Sequence, residues 1–206
     1  MTNTIQPRKL GIMGGTFDPI HYGHLLLAQN AAEEFDLDQV FFLPTGKSPH
    51  KANSQVTRPD IRCEMVGLAI SDNPKFELSM IESQSTDVNY TYLTLQKFHQ
   101  IYPGTKFYFI MGEDSLDDFK NWKNPKEICR LASLLVAVRN DLGNTIQRKV
   151  LNTVNDYSAD IHILHTPNVS ISSREIRKRI RLGKTVQYML PKEVETFIRM
   201  NSLYLG

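Results

Sequence analysis

Cysteine is scarce in this sequence of 206 residues: there are two, Cys63 and Cys129, in no close-spaced metal or redox pattern and too few for a disulfide framework. A reducing compartment suits them. Long apolar runs are missing too, for the longest, Leu131 to Val138 with Ser133 inside it, falls far short of the roughly 20 residues that span a bilayer. No membrane partner is expected. Charge of one sign is also lacking, with a formal net charge of +2 and 41% hydrophobic against 22% charged residues. That balance is ordinary for a globular protein and argues against bulk binding of nucleic acid or membrane. The polar segment Thr2 to Pro7 shows no succession of charged region, apolar stretch and small-residue cleavage site, so a cytoplasmic protein is expected. Internal repeats, low-complexity blocks and long linkers are absent as well. The expectation is a single domain over residues 1–206, long enough to bury most of its surface.

What is present is alternation. Short apolar runs at Leu10 to Met13, Val40 to Leu43, Phe107 to Met111, Leu134 to Val138 and Ile161 to Leu164 read as buried strands. Helical patterns lie between them at Leu25 to Phe35, Ile61 to Ile70 and Tyr92 to Tyr102, and a last one, Val194, Phe197 and Ile198, follows Pro191. Parallel neighbours need a crossover and a helix supplies it, so this order predicts a Rossmann-like, doubly wound α/β fold: a parallel sheet with helices on both faces. Asn124 with Pro125 and Glu127, and Ser172 with Glu175, read as capping boxes, the second opening a helix that runs to Leu182 and stops at Gly183. In such folds ligands bind beyond the carboxyl ends of the strands, where strand order reverses.

The loop after the first strand, Gly14-Gly15-Thr16-Phe17-Asp18-Pro19-Ile20-His21-Tyr22-Gly23-His24, is the most informative stretch. Adjacent glycines let the backbone approach a ligand, and free amides at the start of the following helix favour an anion, so a phosphate site is expected. His21 and His24, three residues apart, can face the same way from one helical turn and donate to one polyphosphate. A tight turn with two partly exposed histidines is the plainer alternative. A metal pair is a third, incomplete for want of another ligand, and no protein metal site is expected.

The stretch GGTFDPIHYGH resembles the signature of the nucleotidyltransferases related to class I aminoacyl-tRNA synthetases, and most closely that of the bacterial nicotinate mononucleotide adenylyltransferases. The resemblance continues through LPTGKSPHK from Leu43, YTYLTL from Tyr90, MGEDS from Met111, Trp122, and ISSREIR from Ile171. It implies an ATP site made of Gly14, Gly15, Thr16, Phe17, His21, His24, Gly112, Asp114, Ile171, Ser172, Ser173 and Arg177. Of these, His21, His24 and Arg177 would serve catalysis, Asp114 would hold the adenosine ribose, and the Ser173 helix would meet the outer phosphates. It further implies an acceptor site in which His50, Lys51 and Arg139 approach the phosphate, Trp122 stacks on the pyridine ring and the Thr91 amide holds the nicotinate carboxylate. Arg174 stands where that family has threonine and Leu93 where it often has aspartate; Arg174 is left out of the site. The basic residues Lys178, Arg179, Arg181 and Lys184 are read as a solvated face.

The implied partners are ATP and nicotinate mononucleotide, with Mg²⁺ bridging the substrate phosphates as cofactor. Self-association is left open. A phosphate monoester with a second pKa of about 6 is already largely dianionic at neutral pH, so the acceptor needs no general base. Sister transferases using nicotinamide mononucleotide, phosphopantetheine or glycerol phosphate are the nearest rivals, the last two opposed by the blocks at Thr91 and Met111. An RNA-binding protein or noncatalytic nucleotide sensor is opposed by the low net charge.

Overall fold

The computed structural model describes residues 8–47, 56–138, 144–167 and 169–205. Six strands, β1 (Lys9–Gly15), β2 (Gln39–Pro44), β3 (Phe76–Leu78), β4 (Lys106–Gly112), β5 (Ser133–Ala137) and β6 (Ile161–Leu164), form one sheet in the order β3-β2-β1-β4-β5-β6. Every neighbouring pair is parallel, Met13 standing beside Phe42 and Leu10 beside Phe107. The helices are α1 (Tyr22–Glu34), α2 (Pro59–Ile70), α3 (Thr91–Ile101), α4 (Glu113–Asp118), α5 (Pro125–Leu131), α6 (Asn144–Tyr157), α7 (Ser173–Arg181) and α8 (Lys192–Met200).

Successive strand residues point to opposite faces, and both faces here are covered. Met13, Val40, Phe42, Ile110 and Leu135 pack with Ala28 and Ala31 of α1, Met65 of α2, Ile176 of α7 and Val194 of α8. Ile12, Phe41, Phe109, Leu134 and Val136 pack on the other side with Leu95 and Phe98 of α3, Ile128 of α5 and Ile146 of α6. Two-sided burial is why the strands read as unbroken apolar runs. It is the doubly wound fold that the alternation predicts.

Three local expectations meet different outcomes. The Ser172 hydroxyl accepts from the Glu175 amide at 3.2 Å and caps α7, which ends before Gly183 at φ +63°. The box at Asn124 does not form: Asn124 is left-handed and gives no side-chain cap, and the Glu127 carboxylate turns to Arg130 and Gln96. Those two partners pull its pKa down to about 2, Arg130 the more strongly. Two elements fall outside the sequence reading: β3, whose three residues are too few to show a period, and α6, although Ile146, Val150, Val154 and Tyr157 recur at helical spacing. After β3 the chain crosses back to β4 on the other side of β1, so strand order reverses between β1 and β4. The glycines Gly14, Gly15 and Gly112 sit at the carboxyl ends of those two strands, where a ligand crevice opens.

Candidate active site

Two cavities open over that edge. One, of about 380 Å³, is lined by Gly14, Gly15, Thr16, Thr91, Asp114 and Trp122, together with Thr45, Glu82, Asn89, Asp118 and Lys123. The other, of about 340 Å³, is lined by His21, Gly23, His24, Gly112, Ile171, Ser172 and Ser173, and again by Gly14, Asp114 and Trp122. Twelve of the residues expected from sequence are thus gathered into two adjoining chambers that share four lining residues, Gly14, Asp114, Ser115 and Trp122.

The histidine pair is fixed by its own backbone. His21 is the residue before α1, in extended conformation, and its N–H donates to Nδ1 of His24 at 3.2 Å. A ring nitrogen that accepts carries no proton, so the neutral His24 ring holds its proton on Nε2, as a donor. The two imidazoles stack with centroids 3.7 Å apart and planes 24° from parallel. A Cβ at Gly23 would come within 3.0 Å of His21 Nδ1, so a larger residue there would push the ring aside. The expected supply of free helix amides is smaller than the sequence suggests: Tyr22 N–H is taken by Met189 O and His24 N–H by His21 O. The imidazoles and the start of α7 still line the cavity.

Phe17 does not face either cavity. Its ring is 2% exposed and lies edge-on to His24 at 5.0 Å, close enough to Gly15 that a Cβ there would touch it at 2.9 Å. It buttresses His24 from the core. Arg177 also lines neither cavity; its Nη1 donates to the carbonyl of Asp18. The Ser173 hydroxyl donates to Pro19 O at 2.8 Å. These two residues tie α7 to the first loop, so the helix start and the histidines move as one body. Of the basic residues on and after α7, Lys178, Arg181 and Lys184 are exposed and none of the four lines either of these two cavities.

On the acceptor side, Trp122 is half-buried, held against Phe119 at 5.5 Å and Phe109 at 5.9 Å while it walls both cavities. Thr91 is the first residue of α3, where an N–H has no intrahelical acceptor; the amides of Leu93 and Thr94 are spent on Tyr90 O. Leu93 lines neither cavity. His50, Lys51 and Arg139 lie outside the described residues.

Sequence reasoning missed Glu82. It is 8% exposed, lines the larger cavity and accepts from the Thr94 hydroxyl at 2.8 Å. Burial pushes its carboxyl above the ordinary 4.5, against the pull of the Thr94 and Thr45 hydroxyls and of Lys97. It stands in a polar stretch with no periodic or motif signal. Only the tertiary fold brings it to the site.

The chain matches the cytidylyltransferase-like family over residues 12–179. It is 38% identical over 199 residues to a protein of Desulfitobacterium hafniense (strain Y51) named "Probable nicotinate-nucleotide adenylyltransferase", covering 96% of each. A protein of the same name from Thermoanaerobacter sp. (strain X514) is 40% identical over 198 residues, covering 95% of this chain and 94% of its own. Among solved structures, the nicotinic acid mononucleotide adenylyltransferase of Plasmodium falciparum complexed with NaAD superposes with a TM-score of 0.77 at 18% identity, over 96% of this chain and 97% of that one. Among the described residues no helix is long and apolar enough to cross a membrane.

Proposed function

The chain belongs to the cytidylyltransferase-like family and, within it, to the nicotinate-nucleotide adenylyltransferases, and from that premise we propose how its two cavities divide the reaction. The activity is transfer of AMP from ATP to nicotinate mononucleotide, giving deamido-NAD and pyrophosphate in NAD biosynthesis. ATP takes the cavity of His21 and His24, with the triphosphate along the imidazoles and the start of α7, and the ribose hydroxyls on the Asp114 carboxylate. Nicotinate mononucleotide takes the other, its ring on Trp122 and its carboxylate at the Thr91 amide. His50, Lys51 and Arg139 are proposed to meet its phosphate on the strength of the sequence resemblance. One observation carries this division: Gly14, Asp114 and Trp122 wall both cavities, so two ligands filling them meet end to end.

The acceptor's phosphate oxygen attacks the α-phosphorus, and the bond to the bridging oxygen breaks as the new one forms. Pyrophosphate leaves with the electron pair. Catalysis rests on positioning and on donors placed where charge builds, among them the Nε2 proton of His24. Among the described residues no three His, Cys, Asp or Glu side chains gather to cage a metal, so Mg²⁺ would be held through substrate phosphates and water. Bound there, it would draw charge from the leaving pyrophosphate. A cytoplasmic location is proposed with it, since ATP is drawn there and both cysteines are buried thiols.

Pyrophosphate release measured across a panel of acceptors tests this reading. Release is expected only with ATP, Mg²⁺ and nicotinate mononucleotide together; a comparable rate without an acceptor would mean a hydrolase. The acid should be preferred over nicotinamide mononucleotide. An amide donor is well met by either carboxylate oxygen but faces the carboxamide NH₂ donor to donor, at a cost of roughly 1 to 3 kcal/mol for each buried donor left unpaired. Two such donors give about a hundredfold in kcat/KM. Equal values would mean the acceptor pocket is wrongly assigned.

A further inference from the structure

A buried arginine outside both cavities joins their two loops. Arg62, on α2, is 1% exposed, and its guanidinium donates to three backbone carbonyls: Nη1 to Thr16 at 2.6 Å, Nη2 to Thr45 at 2.7 Å and Nε to Thr57 at 2.8 Å. Thr16 belongs to the loop after β1 and Thr45 to the loop after β2, and both wall the larger cavity. The nearby buried carboxylate of Asp18, 4% exposed, acts on the guanidinium as a countercharge shared with Arg177, whose Nη1 lies 3.9 Å away. The same carboxylate accepts from the Tyr204 hydroxyl at 2.7 Å and the Thr57 amide at 3.3 Å. Thr57 is therefore held from both sides, by Arg62 on its carbonyl and by Asp18 on its amide. Burying a guanidinium is expensive, and desolvation lowers its pKa even with Asp18 beside it. Packing alone would be served better by an apolar side chain. What an apolar side chain cannot do is hold three carbonyls from three chain segments in one plane.

We propose that Arg62 is a positioning residue for adenylyl transfer, setting the nucleotide loop after β1 against the acceptor loop after β2. This rests on the two-cavity reading above. Each loop still presents its own binding groups without Arg62, but in-line attack demands that the two substrates be aligned closely, and misplacement of about 1 Å costs on the order of a hundredfold in rate. Loss of the clamp therefore falls on kcat and spares both KM values. A lysine, with one compact ammonium, reaches fewer of the three carbonyls.

The test compares Arg62→Lys, Arg62→Met, Asp18→Asn and, as a control, Arg58→Gln, an exposed arginine whose side chain pairs with Asp60 and whose backbone carbonyl, kept in the variant, accepts from the Arg62 amide. Steady-state kinetics with ATP and nicotinate mononucleotide are measured below each variant's melting temperature. Arg62→Lys should lose about ten- to hundredfold in kcat with each KM within about threefold of the parent. Arg62→Met should lose more, and Asp18→Asn, which keeps its shape, should show the same split at smaller size. A folded Arg62→Lys and Asp18→Asn with parental kcat and only a lowered melting temperature would show a structural role and overturn the proposal, as would a rise in one KM alone. Should Arg62→Met fail to fold, the other two variants decide. An inactive parent would instead sink the functional reading itself.

Discussion

The two cavities of the cleft, proposed above as its donor and acceptor halves, are assembled differently. His21 caps α1, whose first turn holds Gly23 and His24, and Ile171, Ser172 and Ser173 are consecutive at the start of α7, so each of these two groups is built by short-range geometry. The acceptor half draws Thr45, Glu82, the run Asn89 to Thr91 and Trp122 from four separate stretches of chain, and no local rule brings those four together. The donor half is also cross-braced, through Ser173 to Pro19 and Arg177 to Asp18. A site made of contiguous turns holds its geometry by itself; one made of scattered side chains depends on the packing around it.

The largest effect should come from the braced half. His24→Ala removes a preorganised donor at the developing negative charge and should lower kcat by about two to three orders of magnitude. The acceptor KM should stay near that of the parent, because the larger cavity does not include His24. A folded variant within threefold of the parent kcat would take His24 out of the chemistry and erase the contrast between the halves.

A smaller effect, of another kind, is expected opposite. Trp122→Ala removes a stacking face worth about 1 kcal/mol or somewhat more, so the acceptor KM should rise about tenfold. Trp122 touches both cavities, and isothermal titration with ATP alone measures how far the change spreads. A larger loss of ATP affinity than of acceptor affinity would assign Trp122 to the donor side.

The same contrast sets what could be read in the sequence. Five of the six strands are legible because burial on both faces leaves unbroken apolar runs, and β3 is not, because Phe76, Glu77 and Leu78 are too few to show a pattern. His21, Gly23 and His24 are legible because a helical turn fixes their relation before any tertiary contact forms. Glu82 and Arg62 are not, since a lone carboxylate in a polar stretch and a lone arginine in the first turn of a helix have the same local signature as surface residues. The Asn124 box misleads for the converse reason: its Glu127 finds Gln96 on α3, a partner that only the folded chain supplies.

The smallest expected effect concerns the two buried carboxylates, one in each half. Asp18 faces the buried Arg62 guanidinium and accepts from Tyr204 and Thr57. Glu82 has hydroxyls from Thr94 and Thr45 and only the more remote charge of Lys97, and burial raises its pKa above 4.5. Folded protein therefore holds this proton more tightly than unfolded chain. The stability that Glu82 contributes is complete below pH 4.5 and is lost as pH rises from there through its raised folded pKa. Glutamine at this position keeps an oxygen to accept from Thr94 and cannot ionise. The melting temperature of Glu82→Gln relative to the parent should accordingly climb as pH rises from 4 to 7, while its value at the acid end stays close to the parent's. A difference that is flat with pH would mean that Glu82 gains no proton affinity on folding, and that the acceptor wall carries its carboxylate ionised at no cost.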